Sequence, residues 1–149
     1  ASPAWVVLKF GGTSVSSVER WETIAALVRQ RLAEGLRPVV VHSALATVSN
    51  KLDELLHRAL EMDVTAQVAG IRELHLRLAA GLQVDGEKEL GGYFRELEQL
   101  LAGIHLIREV SPRIQARVMG LGELMATRLG AALRTLCRSS PAEDRMPAP

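Results

Sequence analysis

Lys9, Gly11, Gly12 and Ser14 stand within six residues of one another, directly after the apolar run Val6-Val7-Leu8. A lysine at the end of a strand is a cation held at a fixed height. Glycines let backbone N–H groups approach an anion with no Cβ between them. Hydroxyls at Thr13 and Ser14 add polar groups, and a helix start beyond them adds partial positive charge. Gly11-Gly12 alone would read as an ordinary strand–turn–helix join, but the whole set of residue types points to an anion site. The Walker order G-x-x-x-x-G-K-[ST] is absent, because here the lysine precedes the glycines.

Two further stretches carry chemistry-bearing residues. Ser43-Ala44-Leu45-Ala46-Thr47-Val48-Ser49-Asn50 follows a second β-branched run, Val39-Val40-Val41. Small and hydroxyl residues at the carboxyl end of a parallel strand are where open α/β sheets place ligands. The plainer alternative is a turn in which Ser49 or Asn50 caps the next helix. The third stretch is Met119-Gly120-Leu121-Gly122-Glu123-Leu124-Met125, inside a helical pattern. Each glycine there weakens the helix by about 1 kcal/mol relative to alanine, so close approach of a backbone or a ligand should justify them. Glu123 is either one exposed position on an amphipathic helix or a carboxylate aimed into a polar site.

The elements that must position these residues follow from pattern. Trp5–Phe10 is expected as a buried strand, Ser16 with Glu19 as a capping box, and 18–32 as a helix closed by Gly35. Val39–His42 is a second core strand, so the start is a βαβ unit with parallel strands and a right-handed crossover. From Asn50 onward leucine stripes predict long helices over 50–60, 64–82 and 87–106. Ser111-Pro112 begins a last helix that carries Leu121, Met125, Leu129 and Leu133. The chain therefore reads as α/β, one domain over 1–137 followed by a disordered tail at 138–149.

Composition narrows the function classes. With 149 residues, 48% hydrophobic and 23% charged, the chain can bury a core. A formal net charge of +1 and only 3% aromatics give no support for nucleic-acid binding. No run approaches the ~18 apolar residues of a membrane span. The one cysteine, Cys137, cannot form an internal disulfide, which suits a reducing cytoplasm, and its apolar surroundings suggest a buried structural role. His57, His75 and His105 lack metal-ligand spacing and are expected at the surface or as caps, so no metal site is assigned.

Lys9–Val15, Ser43–Asn50 and the Gly122-Glu123-Leu124-Met125 segment together resemble the aspartate kinases of the amino acid kinase family, in order and spacing, over roughly 5–137. The resemblance implies a partial three-layer α/β/α sandwich and ATP-dependent phosphorylation of the L-aspartate side-chain carboxylate to 4-phospho-L-aspartate. That reaction opens the route to lysine, threonine and methionine. It implies Lys9 as the catalytic cation, with Lys9, Gly11, Gly12 and Ser14 at the phosphate. Ser43 and Ser49 would hold the aspartate and Glu123 its α-amino group, with Mg²⁺ accompanying ATP. A homo-oligomer is expected, and for a bifunctional parent the family suggests homoserine dehydrogenase or diaminopimelate decarboxylase as the fusion partner.

Three departures stand beside the resemblance. Ser49 replaces the usual threonine, and Thr47 stands where glycine is common. The family's Gly-Arg-Gly-Gly-Ser-Asp nucleotide segment and its regulatory ACT domains do not occur in these residues, so this chain alone is expected to be inactive. Two other readings are a non-catalytic helical oligomerisation module, motivated by the leucine stripes, and a kinase for another amino acid.

Overall fold

The computed structural model describes residues 3–139, with side chains described through Leu133. The order is β1 (Trp5–Phe10), a 3-10 turn (Gly12–Val15), α1 (Val18–Ala33) and β2 (Arg37–His42). Then come α2 (Val48–Ala59), a second 3-10 turn (Thr65–Gln67), α3 (Val68–Gly81), α4 (Gly86–Ile107) and α5 (Pro112–Ser139). β1 and β2 pair in parallel, from Trp5 opposite Arg37 to Phe10 opposite His42. This is the expected βαβ start followed by long helices.

The helix ends show why the chain breaks where it does. Gly35 closes α1 at φ 77°, with Gly35 N–H donating to Leu32 and Leu36 N–H to Arg31, a Schellman motif. α3 closes with the same hydrogen-bond pattern, but Gln83 takes the left-handed position at φ 59°. The Asp85 carboxylate accepts from Lys88 N–H at the start of α4, and the Ser111 hydroxyl accepts from Ile114 N–H ahead of Pro112. At α1 the cap differs from expectation by one residue. Ser17 accepts from Arg20 N–H, and the Ser16 hydroxyl is engaged elsewhere. α2 likewise starts at Val48, behind Thr47, and neither Ser49 nor Asn50 caps it.

The leucine stripes face one another within the chain. Leu52, Leu56, Phe94, Leu97, Leu101, Leu121, Met125 and Leu129 are all fully buried among α2, α4 and α5. Intrachain packing therefore satisfies the faces that suggested an oligomerisation module. His75 is a correction: it is completely buried on α3, not at the surface. Helical periodicity puts it in register with Ile71, Leu78 and Ala79, and its Nδ1 faces the Ile71 carbonyl at 2.8 Å.

The strands are a second correction. They form where expected, but only their inner face is covered, with Leu8, Phe10 and Val40 packed on the core. α1 and α5 both approach that side, whereas Trp5, Val7, Val39 and Val41 on the other face are exposed. A continuous apolar run signals a strand covered on both faces, and among the described residues nothing lies over the outer one. Among the described residues helices cover the sheet on its inner face only. No helix among the described residues is long and apolar enough to cross a membrane. The side chain of Cys137 and the tail from Ser140 lie outside the described residues, while the helix itself continues to Ser139.

Candidate active site

The three singled-out stretches meet at one small residue, Ala44. It sits in the turn after β2, buried, between two glycines. A Cβ built on Gly12 would stand 2.9 Å from the Ala44 carbonyl oxygen and 3.4 Å from Ala46 N. A Cβ built on Gly122 would stand 2.9 Å from the Ala44 Cβ and 3.3 Å from the Leu52 side chain. The loop after β1, the loop after β2 and helix α5 thus pack at distances that only glycine permits. Ser43 N–H donates to the Phe10 carbonyl at 3.0 Å, carrying the parallel pairing one step beyond the strands.

Around this junction the expected site residues fall as follows. Lys9 lies in β1 opposite Val41, exposed, on the outer face of the sheet. Gly11 precedes the 3-10 turn in ordinary extended geometry, and a Cβ there would meet nothing within 4 Å. The turn's first internal bond runs from Ser14 N–H to Gly11, so the N–H groups of Gly12 and Thr13 have no acceptor inside it. Ser43 and Ser49 are half-buried, the first directly after β2 and the second in the first turn of α2. Glu123 is exposed on α5 between buried Gly122 and buried Met125. The loop contacts bring together the segments that carry Gly12, Ser43 and Glu123.

The two glycines of the first loop separate in duty. Gly12 is required by the neighbouring backbone, and Gly11 opens onto free space. Of the pair in α5, Gly122 has its close neighbour and Gly120 has none within 4 Å. Thr47 takes φ 72°, ψ −16° in the turn closed by Val48 N–H to Leu45, a left-handed position that favours glycine. Behind the site, His42 lies 4.8 Å from the Trp21 ring and near Phe10, and burial pushes its pKa down. Sequence reasoning missed Ala44, Ser16 and His42. Ala44 lies in a stretch the sequence singled out, but Ala46 there is equally small; Ser16 read only as a helix cap, and nothing local marks His42.

Residues 4–135 match the model of the amino acid kinase family. The chain belongs to that family. Aspartokinase 2 of Arabidopsis thaliana, a chloroplastic enzyme, is 40% identical over 134 residues, covering 85% of this chain and 24% of its own length. Aspartokinase 3 of the same plant is 37% identical over 131 residues, covering 85% of this chain and 23% of its own. E. coli aspartokinase III, solved in complex with aspartate and ADP, superposes with a TM-score of 0.74 at 24% identity, covering 91% of this chain and 29% of that one. The chain thus has the fold of part of an amino acid kinase and spans about a quarter of the length of its curated relatives.

Proposed function

We propose that this chain forms the phosphate- and acid-facing part of an aspartate kinase, which transfers the γ-phosphoryl group of ATP to the side-chain carboxylate of L-aspartate. The product would be 4-phospho-L-aspartate, the first intermediate towards lysine, threonine and methionine. The observation that carries this reading is the meeting of all three motif-bearing segments at Ala44. The similarity to aspartokinases over most of the chain supports aspartate over other acids.

Phosphoryl transfer asks the protein for positioning and charge stabilisation more than for covalent chemistry. Lys9 would neutralise charge on the transferring group. Gly11 gives the phosphate room, and the free N–H groups that follow it, with Ser14, would donate to its oxygens. Ser43 and Ser49 would hold the aspartate, and Glu123 would pair with its α-amino group. Among the described residues no three of His, Cys, Asp and Glu gather to hold a metal. Mg²⁺ accompanying ATP would be held mainly by the nucleotide phosphates.

These 149 residues contain no Gly-Arg-Gly-Gly-Ser-Asp segment, so the chain by itself is expected not to turn over. An ATP-dependent aspartyl-hydroxamate assay tests that, and robust product formation would overturn it. Substrate assignment is tested on the ¹⁵N-labelled chain. L-Aspartate should shift the amides of Ser43, Ser49 and Glu123, whereas N-acetylglutamate should not. Equal responses to both acids, or none to either, would sink the assignment.

A further inference from the structure

We propose that Ser16 is a positioning residue that latches the phosphate-facing loop to the acid-facing loop. Its hydroxyl donates to the Gly12 carbonyl at 2.5 Å and accepts from Ala46 N–H at 2.8 Å, thirty positions away in sequence. One side chain therefore joins the turn after β1 to the turn after β2. It is free to do so because Ser17, and not Ser16, caps α1.

The two groups that Ser16 joins are informative. Gly12 stands in the turn whose first N–H groups have no acceptor inside it and would donate to the proposed phosphate. Ala46 immediately precedes Thr47, the residue at φ 72° behind which α2 and Ser49 begin. A turn with a non-glycine residue in the left-handed region persists only when its surroundings hold it. The bond to Ala46 N–H supplies such a hold from the opposite loop. With Gly12 already against Ala44, the two loops behave as one body, so an anion bound on the first is felt on the second. The latch rests on the proposed phosphate site for its role, though not for its existence.

The test uses amide exchange and inorganic phosphate on the ¹⁵N-labelled chain. Ser16→Ala should raise exchange at Ala46 about fivefold, the net worth of one hydrogen bond. Ser17→Ala, which removes the helix cap instead, should leave Ala46 unchanged. In the native chain, phosphate should shift Gly11–Ser14 and Ala46 together. In Ser16→Ala the Ala46 response should be lost while Gly11–Ser14 still respond, and Ser16→Thr should restore it. Unchanged exchange at Ala46 in Ser16→Ala would overturn the latch. Faster exchange with a persisting phosphate response at Ala46 would overturn its coupling role. If phosphate shifts none of Gly11–Ser14 in the native chain, the anion site fails and the positioning role fails with it, whereas the exchange result still reports the tie between the loops.

Discussion

Replacing Gly12 with alanine is expected to destabilise the protein by about 1–3 kcal/mol, because the new methyl would press on the Ala44 carbonyl and the backbone there has nowhere to yield. Gly11→Ala should leave the denaturation midpoint nearly unchanged, since its backbone is ordinary and the space is open, yet weaken phosphate binding. Urea unfolding and a phosphate titration separate the two; a fold damaged equally by both would refute the division. Thr47→Gly should raise stability by roughly 1 kcal/mol by relieving a left-handed threonine, measured by the same unfolding curves. The sequence marked both glycines as an anion loop, and the tight approach at Gly12 was invisible because it depends on Ala44, distant in the chain. Thr47 was legible as a departure from glycine, but its backbone angle was not.

At the scale of elements, α5 carries a paired test. Gly122→Ala would drive a methyl into Ala44 and Leu52 and should destabilise by about 1–3 kcal/mol, while Gly120→Ala meets nothing and should stabilise the helix by about 1 kcal/mol. Thermal unfolding of the two variants decides it, and shifts of the same sign would count against the packing described. Helix existence and type were readable from periodicity and from caps such as Ser111-Pro112. Which face each helix buries was readable too, except at His75, where a polar residue occupies an apolar register. Its Nδ1–H donates to the Ile71 carbonyl, its Nε2 is buried without a partner, and the ring sits edge-on to Phe94. Burial lowers its pKa, an effect only partly offset by the bond to Ile71. Above the ordinary histidine value of about 6.5, folded and unfolded forms are both neutral and nothing is lost. Below it the unfolded chain takes up protons that folded His75 refuses, so stability should fall with pH until the folded imidazole also protonates. The slope is at most about 1.4 kcal/mol per pH unit for this group, and His42 adds to it in the same sense. His75→Leu should flatten the decline between pH 6.5 and 5, measured by urea midpoints; an unaltered slope would remove His75 as its source.

Across the whole molecule, stability should be uneven, and the sheet is its weak part. Among the described residues two strands give two unpaired edges, and Trp5, Val7, Val39 and Val41 leave the outer face exposed, with the Arg37 guanidinium 5.5 Å from the Trp5 ring. A two-stranded sheet has little independent stability and here leans on α1 and α5 through its inner face alone. The bundle of α2 to α5 instead closes on itself around Phe94, Leu97, Leu101 and Leu121, with Arg72–Glu87, Arg117–Glu96 and Arg128–Glu89 pairs joining neighbouring helices at its surface. The strand pattern alone did not reveal this imbalance, because a continuous apolar run signals cover on both faces and among the described residues only the inner one has it. Native-state amide exchange should therefore find β1 and β2 opening at free energies at least about 1.4 kcal/mol below α4, a tenfold difference in protection. The slowest amides should be those of α4 near Phe94 and Leu97. Adding L-aspartate and phosphate should narrow the gap by protecting the strand ends at Phe10 and His42 before it affects α4. Equal protection of strands and bundle in the free chain would show that the inner face alone holds the sheet as firmly as the bundle holds itself.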